Sequence, residues 1–208
     1  MLKYKSLNII IPIILKKASK TQRNECAMKK IILASNSPRR KELLTKEHVD
    51  FVVIPAEIDE KMDLNLSPIE NVLNVSLKKC EAIQQKYPDE EILAADTIVV
   101  LDNQIFGKPK DEEDAYKMLK HLSGKIHQVI TGVAIYKDKK YDNFYVVSNV
   151  KFKTLDDEDI WGYIKTKEPM DKAGSYAIQG IGSKFIESYD GELENIIGLP
   201  IKEVLERI

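Results

Sequence analysis

The stretch Ile32–Leu44, ILASNSPRRKELL, contains a complete transition from strand to helix. Its apolar start predicts a buried strand at Lys30–Ala34, and Pro38 predicts the first turn of a following helix. Arg39 and Arg40 come next, at the end of a helix where the dipole disfavours positive charge. The two arginines are therefore either solvated, or an anion lies there with them.

Hydrophobic periodicity predicts further strands and helices along the chain. The predicted strands lie at 51–55, 91–101, 127–136 and 144–155, and the predicted helices at 68–87, 111–124, 156–166 and 199–208. The polar residues 138–142 separate two of the strands and predict a hairpin. The glycine-rich residues 173–191 predict strand and loop. No internal repeat is present, so residues 28–208 are expected to form one α/β domain with a mixed sheet.

The composition bounds the class of protein. The 208 residues are 43% hydrophobic and 31% charged, which is typical of a soluble globular protein. A net charge of −1 argues against a general nucleic-acid binder, whose surface would be basic. Cys26 and Cys80 fit no disulfide or zinc spacing, and Cys80 reads as a small buried hydrophobe. A reducing compartment follows.

The amino-terminal segment differs from the rest. Residues 1–27 carry six lysines and arginines and one glutamate, a charge of +5. They include nine mostly apolar residues, 7–15, which are too few to span a bilayer and are interrupted by Pro12. The segment resembles a signal or transit peptide, or it is an upstream extension with Met28 as a natural chain start. We favour the extension, and expect a cytoplasmic protein without a membrane partner, whose fold excludes residues 1–27.

Asp96 is the most informative single residue, because its strand is otherwise apolar. A buried carboxylate costs several kcal/mol unless it is paired or binds a metal. One interpretation is a structural aspartate that caps a neighbouring helix or turn. The other is a metal ligand or general base at a cleft.

Other charged residues are less informative individually. Lys79 lies at the edge of an apolar helix stripe, where it must snorkel or pair, and Lys108 lies in a short loop between a glycine and a proline. Glu60 belongs to an acidic cluster of the kind that supplies oxygen ligands to hard cations. His121 and His127 are expected to be structural.

These cations and acids together suit one ligand. A polyphosphate with a divalent metal would use the cations on phosphate oxygens and the acids on the metal. No glycine-rich phosphate loop, zinc spacing or Ser/His/Asp order is present in the sequence. The residues alone therefore predict phosphate-ester chemistry.

A set of motifs in a fixed order resembles the Maf family of nucleoside triphosphate pyrophosphatases, also known as septum-formation-inhibitor-like proteins. The motifs are Ser35-x-Ser37-Pro38-Arg39-Arg40, Ala95-Asp96-Thr97, Gly107-Lys108-Pro109, His127-x-Val129-x-Thr131, Glu168-Pro169-x-Asp171-Lys172-Ala173-Gly174-x-Tyr176-x-Ile178-Gln179-Gly180 and Asn195-x-x-Gly198-Leu199-Pro200. The resemblance covers about residues 29–208.

The resemblance implies a fold and a reaction. The fold is like that of inosine triphosphate pyrophosphatases: an elongated, twisted mixed sheet flanked by helices, with a central cleft between two lobes. The reaction is hydrolysis of a nucleoside triphosphate to the monophosphate and pyrophosphate, in which a water assisted by Mg²⁺ or Mn²⁺ attacks the α-phosphorus. Family members are also expected to form homodimers.

The resemblance also implies roles for individual residues. Asp96 would activate the water as a general base or metal-linked acid, and Glu60 would be the second metal-binding carboxylate. The implied triphosphate contacts are Arg39, Lys79 and Lys108, with the hydroxyls of Ser35 and Ser37 nearby. The implied specificity positions are Arg40, Thr97 and Gln179.

Thr97 and Gln179 match the branch of the family that acts on dTTP and UTP. A glutamine offers a donor and an acceptor, which suits the O4 and N3–H edge of uracil or thymine. A sister branch acts on 7-methyl-GTP or related nucleotides, and typically has Ser-Asp-Gln where this chain has Ala95–Thr97. A non-catalytic regulator of cell division is a further alternative, which the sequence disfavours because every implied catalytic position is filled.

Overall fold

Seven strands and six helices make up residues 30–208, the part of the chain that the computed structural model describes. The strands are β1 (Ile31–Leu33), β2 (Phe51–Val53), β3 (Ile92–Leu101), β4 (Gln104–Phe106), β5 (Ile126–Lys137), β6 (Lys140–Phe152) and β7 (Ile186–Asp190). The helices are α1 (Pro38–Lys46), α2 (Pro68–Gln84), α3 (Glu112–Leu122), α4 (Asp157–Lys165), α5 (Leu193–Ile197) and α6 (Ile201–Leu205). The prediction for residues 1–27 lies outside the described residues.

The helix starts follow from local capping chemistry. Ser37 caps α1, which begins at the predicted proline. Ser67 and Glu70 form the reciprocal capping box of α2, while the side chains of Asp111 and Asp156 each accept a hydrogen bond from a free N–H group in the first turn of α3 and α4. The four helix positions predicted from these signals are confirmed.

The strands form one mixed sheet, as the sequence predicts. Its order is β2-β1-β3-β5-β6-β7, with β4 paired to β3. Strand β1 runs parallel to β2 and β3, and the remaining pairs are antiparallel. The long strands β3 and β5 therefore lie in the middle of the sheet, with β1 and its outgoing helix beside them.

Two hairpins close through two-residue turns. Asp102 and Asn103 join β3 to β4, and Asp138 and Lys139 join β5 to β6. All four residues have positive φ, between 50° and 62°, which is the pattern of the turn type that matches strand twist. The second turn is shorter than the predicted polar turn, because β6 already begins at Lys140.

Helix α2 packs on one face of the sheet and approaches β5 at Gly132. A Cβ atom at Gly132 would lie 2.6 Å from the carbonyl oxygen of Val72 in α2. Cys80 of α2 is fully buried against the sheet, as predicted, and burial raises the pKa of its thiol to about 12. The missing side chain of Gly132 sets how close α2 lies to the middle of the sheet.

The carboxyl-terminal quarter departs most from the predicted elements. Residues 168–185 form three short 3₁₀ turns, Glu168–Asp171, Ala173–Ser175 and Ile181–Phe185, before β7 begins. Helix α5 was not predicted, and the last helix is shorter than predicted. In the described part of the chain, no helix has the length and apolar character needed to cross a membrane.

Candidate active site

A cleft of about 650 Å³ opens beside the carboxyl end of β1 and the middle of β3. Its walls are formed by the β1–α1 connection, β3, the loop 171–179 and residues 196–198. The ten residues that the sequence nominates for the site all line it: Ser35, Ser37, Arg39, Arg40, Glu60, Lys79, Asp96, Thr97, Lys108 and Gln179. Residues separated by as much as 144 positions in the chain are thus brought to one cavity.

Asp96, Lys79 and Glu60 form a charge cluster in this cleft. The Lys79 Nζ lies 2.8 Å from Asp96 Oδ1 and 3.0 Å from Glu60 Oε1. The Lys79 and Asp96 side chains are 8% and 11% exposed, whereas Glu60 is half exposed. Lys79 therefore pairs rather than snorkels, and it holds two carboxylates of different burial at one point.

The two oxygens of Asp96 are not equivalent. Oδ1 accepts the hydrogen bond from Lys79, and no hydrogen bond to Oδ2 is found among residues 30–208. Asp96 does not cap a helix or turn among these residues, and its partner there is Lys79. Its second oxygen belongs to a carboxylate that lines the cleft and can accept a proton or bind a cation.

Arg40 is buried and bonded within the chain. Its Nε donates to the carbonyl of Gly198 at 2.8 Å, Nη1 donates to Ser35 Oγ at 2.9 Å, and Nη2 donates to Thr97 Oγ1 at 3.0 Å. Burial lowers the pKa of Arg40, and the nearby Asp96 carboxylate opposes that shift. Arg40 is thus not a solvated arginine: it joins α1 to β3 and to the end of α5.

The two serines shape the start of α1. Ser35 Oγ accepts from the N–H of Ser37 at 3.2 Å, as well as from Arg40. Ser37 Oγ accepts from the N–H of Arg40 at 3.5 Å. Both hydroxyls lie at the amino end of a nine-residue helix, where free N–H groups favour an anion.

The wall formed by the loop 171–179 adds two charged residues that are not among the ten predicted site residues. Asp171 Oδ2 lies 3.6 Å from Arg39 Nη1, and Asp171 Oδ1 accepts from Lys172 Nζ at 2.6 Å. Both Asp171 and Lys172 line the cleft. Lys108 is exposed and forms no ion pair with the described residues. The charged stretch Glu168–Gly174, EPMDKAG, was the available signal for this wall.

A second buried network lies beneath the cleft. Thr97 Oγ1 and Thr131 Oγ1 are 3.0 Å apart, and Thr131 donates to the carbonyl of Asn195 at 3.1 Å. On the loop side, His127 Nε2 lies 2.7 Å from the hydroxyl of Tyr176. Burial lowers the pKa of His127 to about 4. His127 is therefore a neutral core histidine, as the sequence predicts, and it fastens the loop to β5.

The donor set is compatible with a hard divalent cation. No group of three or more His, Cys, Asp or Glu side chains suited to a metal is found within 30–208. Glu60 and Asp96 nevertheless supply two carboxylates at one place, both within 3.0 Å of the same ammonium group. Mg²⁺ in nucleotide enzymes is commonly bound by one or two carboxylates plus substrate phosphates and water.

Comparisons with known proteins agree on one family. The model of the family described as Maf-like protein matches residues 30–208. The dTTP/UTP pyrophosphatase of Acholeplasma laidlawii is 48% identical over 86% of this chain and 94% of that protein. Proteins of the same name from Clostridioides difficile and Bacillus cereus are 49% and 44% identical, over 84% and 87% of this chain and 91% and 95% of their own lengths.

Proposed function

Because the chain belongs to the family of Maf-like proteins, we propose that it is a pyrophosphatase that hydrolyses dTTP and UTP to the monophosphate and pyrophosphate. The family resemblance predicted from the motifs is confirmed. The named relatives share 44–49% of their residues with it over most of both chains. The family match covers residues 30–208, the range in which every nominated site residue lies.

The observation that carries the proposal is the Lys79-bridged pair of carboxylates in a cleft that also holds cations. Asp96 and Glu60 supply acid groups at one point, and Arg39, Lys108 and Lys172 supply positive charge around it. A triphosphate with a divalent cation needs both kinds of group at once. Neither a purely acidic nor a purely basic cleft would serve.

In the proposed reaction Asp96 accepts a proton from the attacking water. Lys79 holds Asp96 through Oδ1, so that Oδ2 is the oxygen left to take that proton. The water oxygen bonds to the α-phosphorus, and the bond from the α-phosphorus to the α–β bridging oxygen breaks. Pyrophosphate leaves with the electron pair of that bond, and Arg39 and Lys108 stabilise its charge.

Glu60 and Asp96 are the residues that would hold Mg²⁺ or Mn²⁺. When bound, such a cation would offset negative charge on the phosphate oxygens. Lys79 touches both carboxylates and so orients them relative to each other. The amino end of α1, with Ser35 and Ser37, would bind phosphate oxygens through its free N–H groups and hydroxyls.

Base selection is assigned to Arg40, Thr97 and Gln179. Gln179 would read the O4 and N3–H edge of the pyrimidine with its own acceptor and donor. Arg40 would act with Thr97, whose hydroxyl it holds at 3.0 Å. The homodimer and the cytoplasmic location remain predictions.

Pyrophosphate release from dTTP with Mn²⁺ tests the reaction. We expect Asp96→Asn to lower kcat by about 10²–10⁴-fold, the usual contribution of a general base. Asp102→Asn is the matched control, because Asp102 lies in the exposed turn after the same strand and should leave the rate unchanged. Equal, low rates from wild type and Asp96→Asn would refute the enzymatic proposal.

A substrate panel tests the assigned branch. Wild type should prefer dTTP and UTP over CTP, dATP and 7-methyl-GTP in kcat/KM. A preference for 7-methyl-GTP would overturn the roles given to Thr97 and Gln179 while leaving the pyrophosphatase proposal intact.

A further inference from the structure

We infer that Glu168 is a positioning residue for base selection, acting through the backbone that carries Gln179. The inference rests on the proposed function, and in particular on Gln179 as the residue that reads the base. It adds a residue that lies outside the cleft, since Glu168 is not among the residues that line it.

Gln179 depends on its backbone for its position. It is exposed at the cleft, and no hydrogen bond from its side chain to residues 30–208 is found. A residue without side-chain support can read a base edge only if the main chain around it is fixed. The groups that hold this main chain therefore determine where the amide of Gln179 lies.

Gly180 fixes the chain directly after Gln179 and packs on Glu168. Its φ is +89° and its ψ −153°, a conformation that glycine adopts readily and other residues rarely do. A Cβ atom at Gly180 would lie 2.9 Å from Glu168 Oε2. The turn is thus built against the carboxylate of Glu168.

The carboxylate of Glu168 binds the next two N–H groups of the same turn. Oε2 accepts from Ile181 at 3.1 Å, and Oε1 accepts from Gly182 at 3.1 Å and from the Tyr163 hydroxyl at 3.0 Å. Partial burial acts to raise the pKa of Glu168, but these donors outweigh it, and the pKa lies below its ordinary value. The group is therefore ionised at neutral pH, and both of its oxygens are committed to the turn.

The backbone of Glu168 holds the other end of the same loop. Its carbonyl accepts from Lys172 Nζ at 2.6 Å, and Lys172 also pairs with Asp171. One residue therefore fastens residues 172 and 180–182, which flank Gln179 on both sides. Tyr163 lies on α4 and is 1% exposed, so its hydrogen bond connects the carboxylate of Glu168 to the hydrophobic core.

The catalytic cluster is held independently of this loop. Asp96 and Lys79 lie on β3 and α2, and their mutual contact at 2.8 Å involves no residue of 168–182. Loosening Glu168 should therefore displace Gln179 while leaving Asp96 in place. The expected consequence is a change in base discrimination that exceeds the change in phosphate chemistry.

The test compares dTTP with dCTP, which differ at the pyrimidine edge that Gln179 would read. In Glu168→Gln one oxygen becomes an NH₂ group that cannot accept from a backbone N–H. We expect the ratio of kcat/KM for dTTP over dCTP to fall about tenfold, while kcat on dTTP changes by less than about threefold. Glu187→Gln is the control, an exposed glutamate paired with Lys151 that should leave the ratio unchanged.

A double variant separates positioning from general loss of structure. If Glu168 acts through Gln179, Glu168→Gln combined with Gln179→Ala should have the same selectivity as Gln179→Ala alone. Tyr163→Phe removes a single hydrogen bond to Glu168 and should lower the dTTP/dCTP ratio of kcat/KM less than Glu168→Gln does. It replaces Glu168→Gln as the test if that variant does not fold. The inference would be overturned if the ratio of kcat/KM for dTTP over dCTP stayed unchanged in both Glu168→Gln and Tyr163→Phe. It would also be overturned if the losses of Glu168→Gln and Gln179→Ala were additive in the double variant.

The failure of the proposed function has a different signature. Wild type would then release no pyrophosphate from any triphosphate with any metal. Selectivity is still measurable in that case, by calorimetry in EDTA, as the ratio of the Kd for dCTP to the Kd for dTTP. Glu168→Gln should lower that ratio too, and an unchanged ratio of Kd values would overturn the inference without reference to turnover.

Discussion

The two walls of the cleft are built by different means. One wall carries Asp96 on a central strand and Lys79 on a helix that packs closely on the sheet. The other is a loop of short 3₁₀ turns, in which Gln179 is exposed and Gly180 has a positive φ. On the first wall Lys79 and Asp96 bind each other through their side chains, whereas on the second the turn after Gln179 is held by the carboxylate of Glu168 through backbone N–H groups.

The difference matches what each wall has to do. Proton transfer and phosphate binding require atoms held to within fractions of an ångström, and regular elements supply that precision. Loops on a rigid scaffold can vary without disturbing that scaffold, which suits the selection of a substrate. Under the proposed function the sheet wall carries Asp96 and Lys79 for the reaction and Thr97 of the base-selecting set, whereas the loop wall carries Gln179.

Apart from that at Asp96, the largest expected effect is on the sheet wall, at Lys79. Lys79→Met keeps the length of the side chain but leaves Asp96 and Glu60 without their shared cation. We expect kcat/KM to fall about 10²–10³-fold on dTTP and on dCTP alike, because in the proposed function the cluster acts on the phosphates and not on the base. Steady-state kinetics on dTTP and dCTP measure the fall in kcat/KM and show whether the ratio of kcat/KM between the two nucleotides changes.

Lys78→Met is the matched control for this change. Lys78 is the neighbouring residue on α2 and is exposed, so its loss should leave the rate unchanged. A strong change in the dTTP/dCTP ratio in Lys79→Met would contradict the separation of the two walls.

A smaller effect on the sheet wall is expected at Gly132. In the sheet register Gly132 lies opposite Asp96, and an alanine Cβ would meet the backbone of α2 at 2.6 Å. The helix that carries Lys79 would have to move, at a cost of about 1–3 kcal/mol in the free energy of unfolding. Urea denaturation measures this loss, and activity should fall equally for dTTP and dCTP.

Gly162→Ala is the control with the opposite sign. Gly162 lies exposed in α4, and a Cβ there meets nothing within 4 Å. Alanine should stabilise that helix by up to about 1 kcal/mol. Stabilisation by Gly132→Ala would show that the close contact of α2 with β5 is not a constraint.

The sequence predicts the sheet wall better than the loop wall. Asp96 stands out because a carboxylate within an apolar strand needs a partner, and capping residues mark the helices that bring such partners near. Glu168 gives no comparable signal, since its contacts with Ile181 and Gly182 join residues of irregular backbone conformation. Hydrophobic periodicity describes regular elements only, so contacts of this kind are visible in the structure alone.

Arg40 shows a second limit of sequence reasoning. Its position at a helix start indicates an anion or solvent, yet the structure buries it and directs it to Gly198, more than 150 residues away in the chain. Such a contact depends on where α5 ends, and α5 is a five-residue helix too short to give a periodic pattern.

The last expected effect is on stability alone and concerns the bond that holds the loop wall to the sheet. His127 has a pKa of about 4 in the folded protein, because burial disfavours its charged form, and an ordinary value near 6.5 when unfolded. Protons therefore bind the unfolded chain preferentially as the pH falls from 6.5 towards 4. Between pH 7 and pH 5 this histidine should lower the free energy of unfolding by about 2 kcal/mol.

The contribution has to be isolated, because Glu192 acts in the opposite direction. Burial, together with Glu203, raises the pKa of Glu192 to about 7, so its protonation stabilises the folded state over the same range. Urea unfolding of wild type and of His127→Gln is therefore compared at pH 7 and pH 5. The contribution of Glu192 is common to both proteins and cancels in this comparison. The pH-dependent loss should be about 2 kcal/mol smaller in His127→Gln, and equal losses would mean that His127 is not held neutral by burial beneath the loop wall.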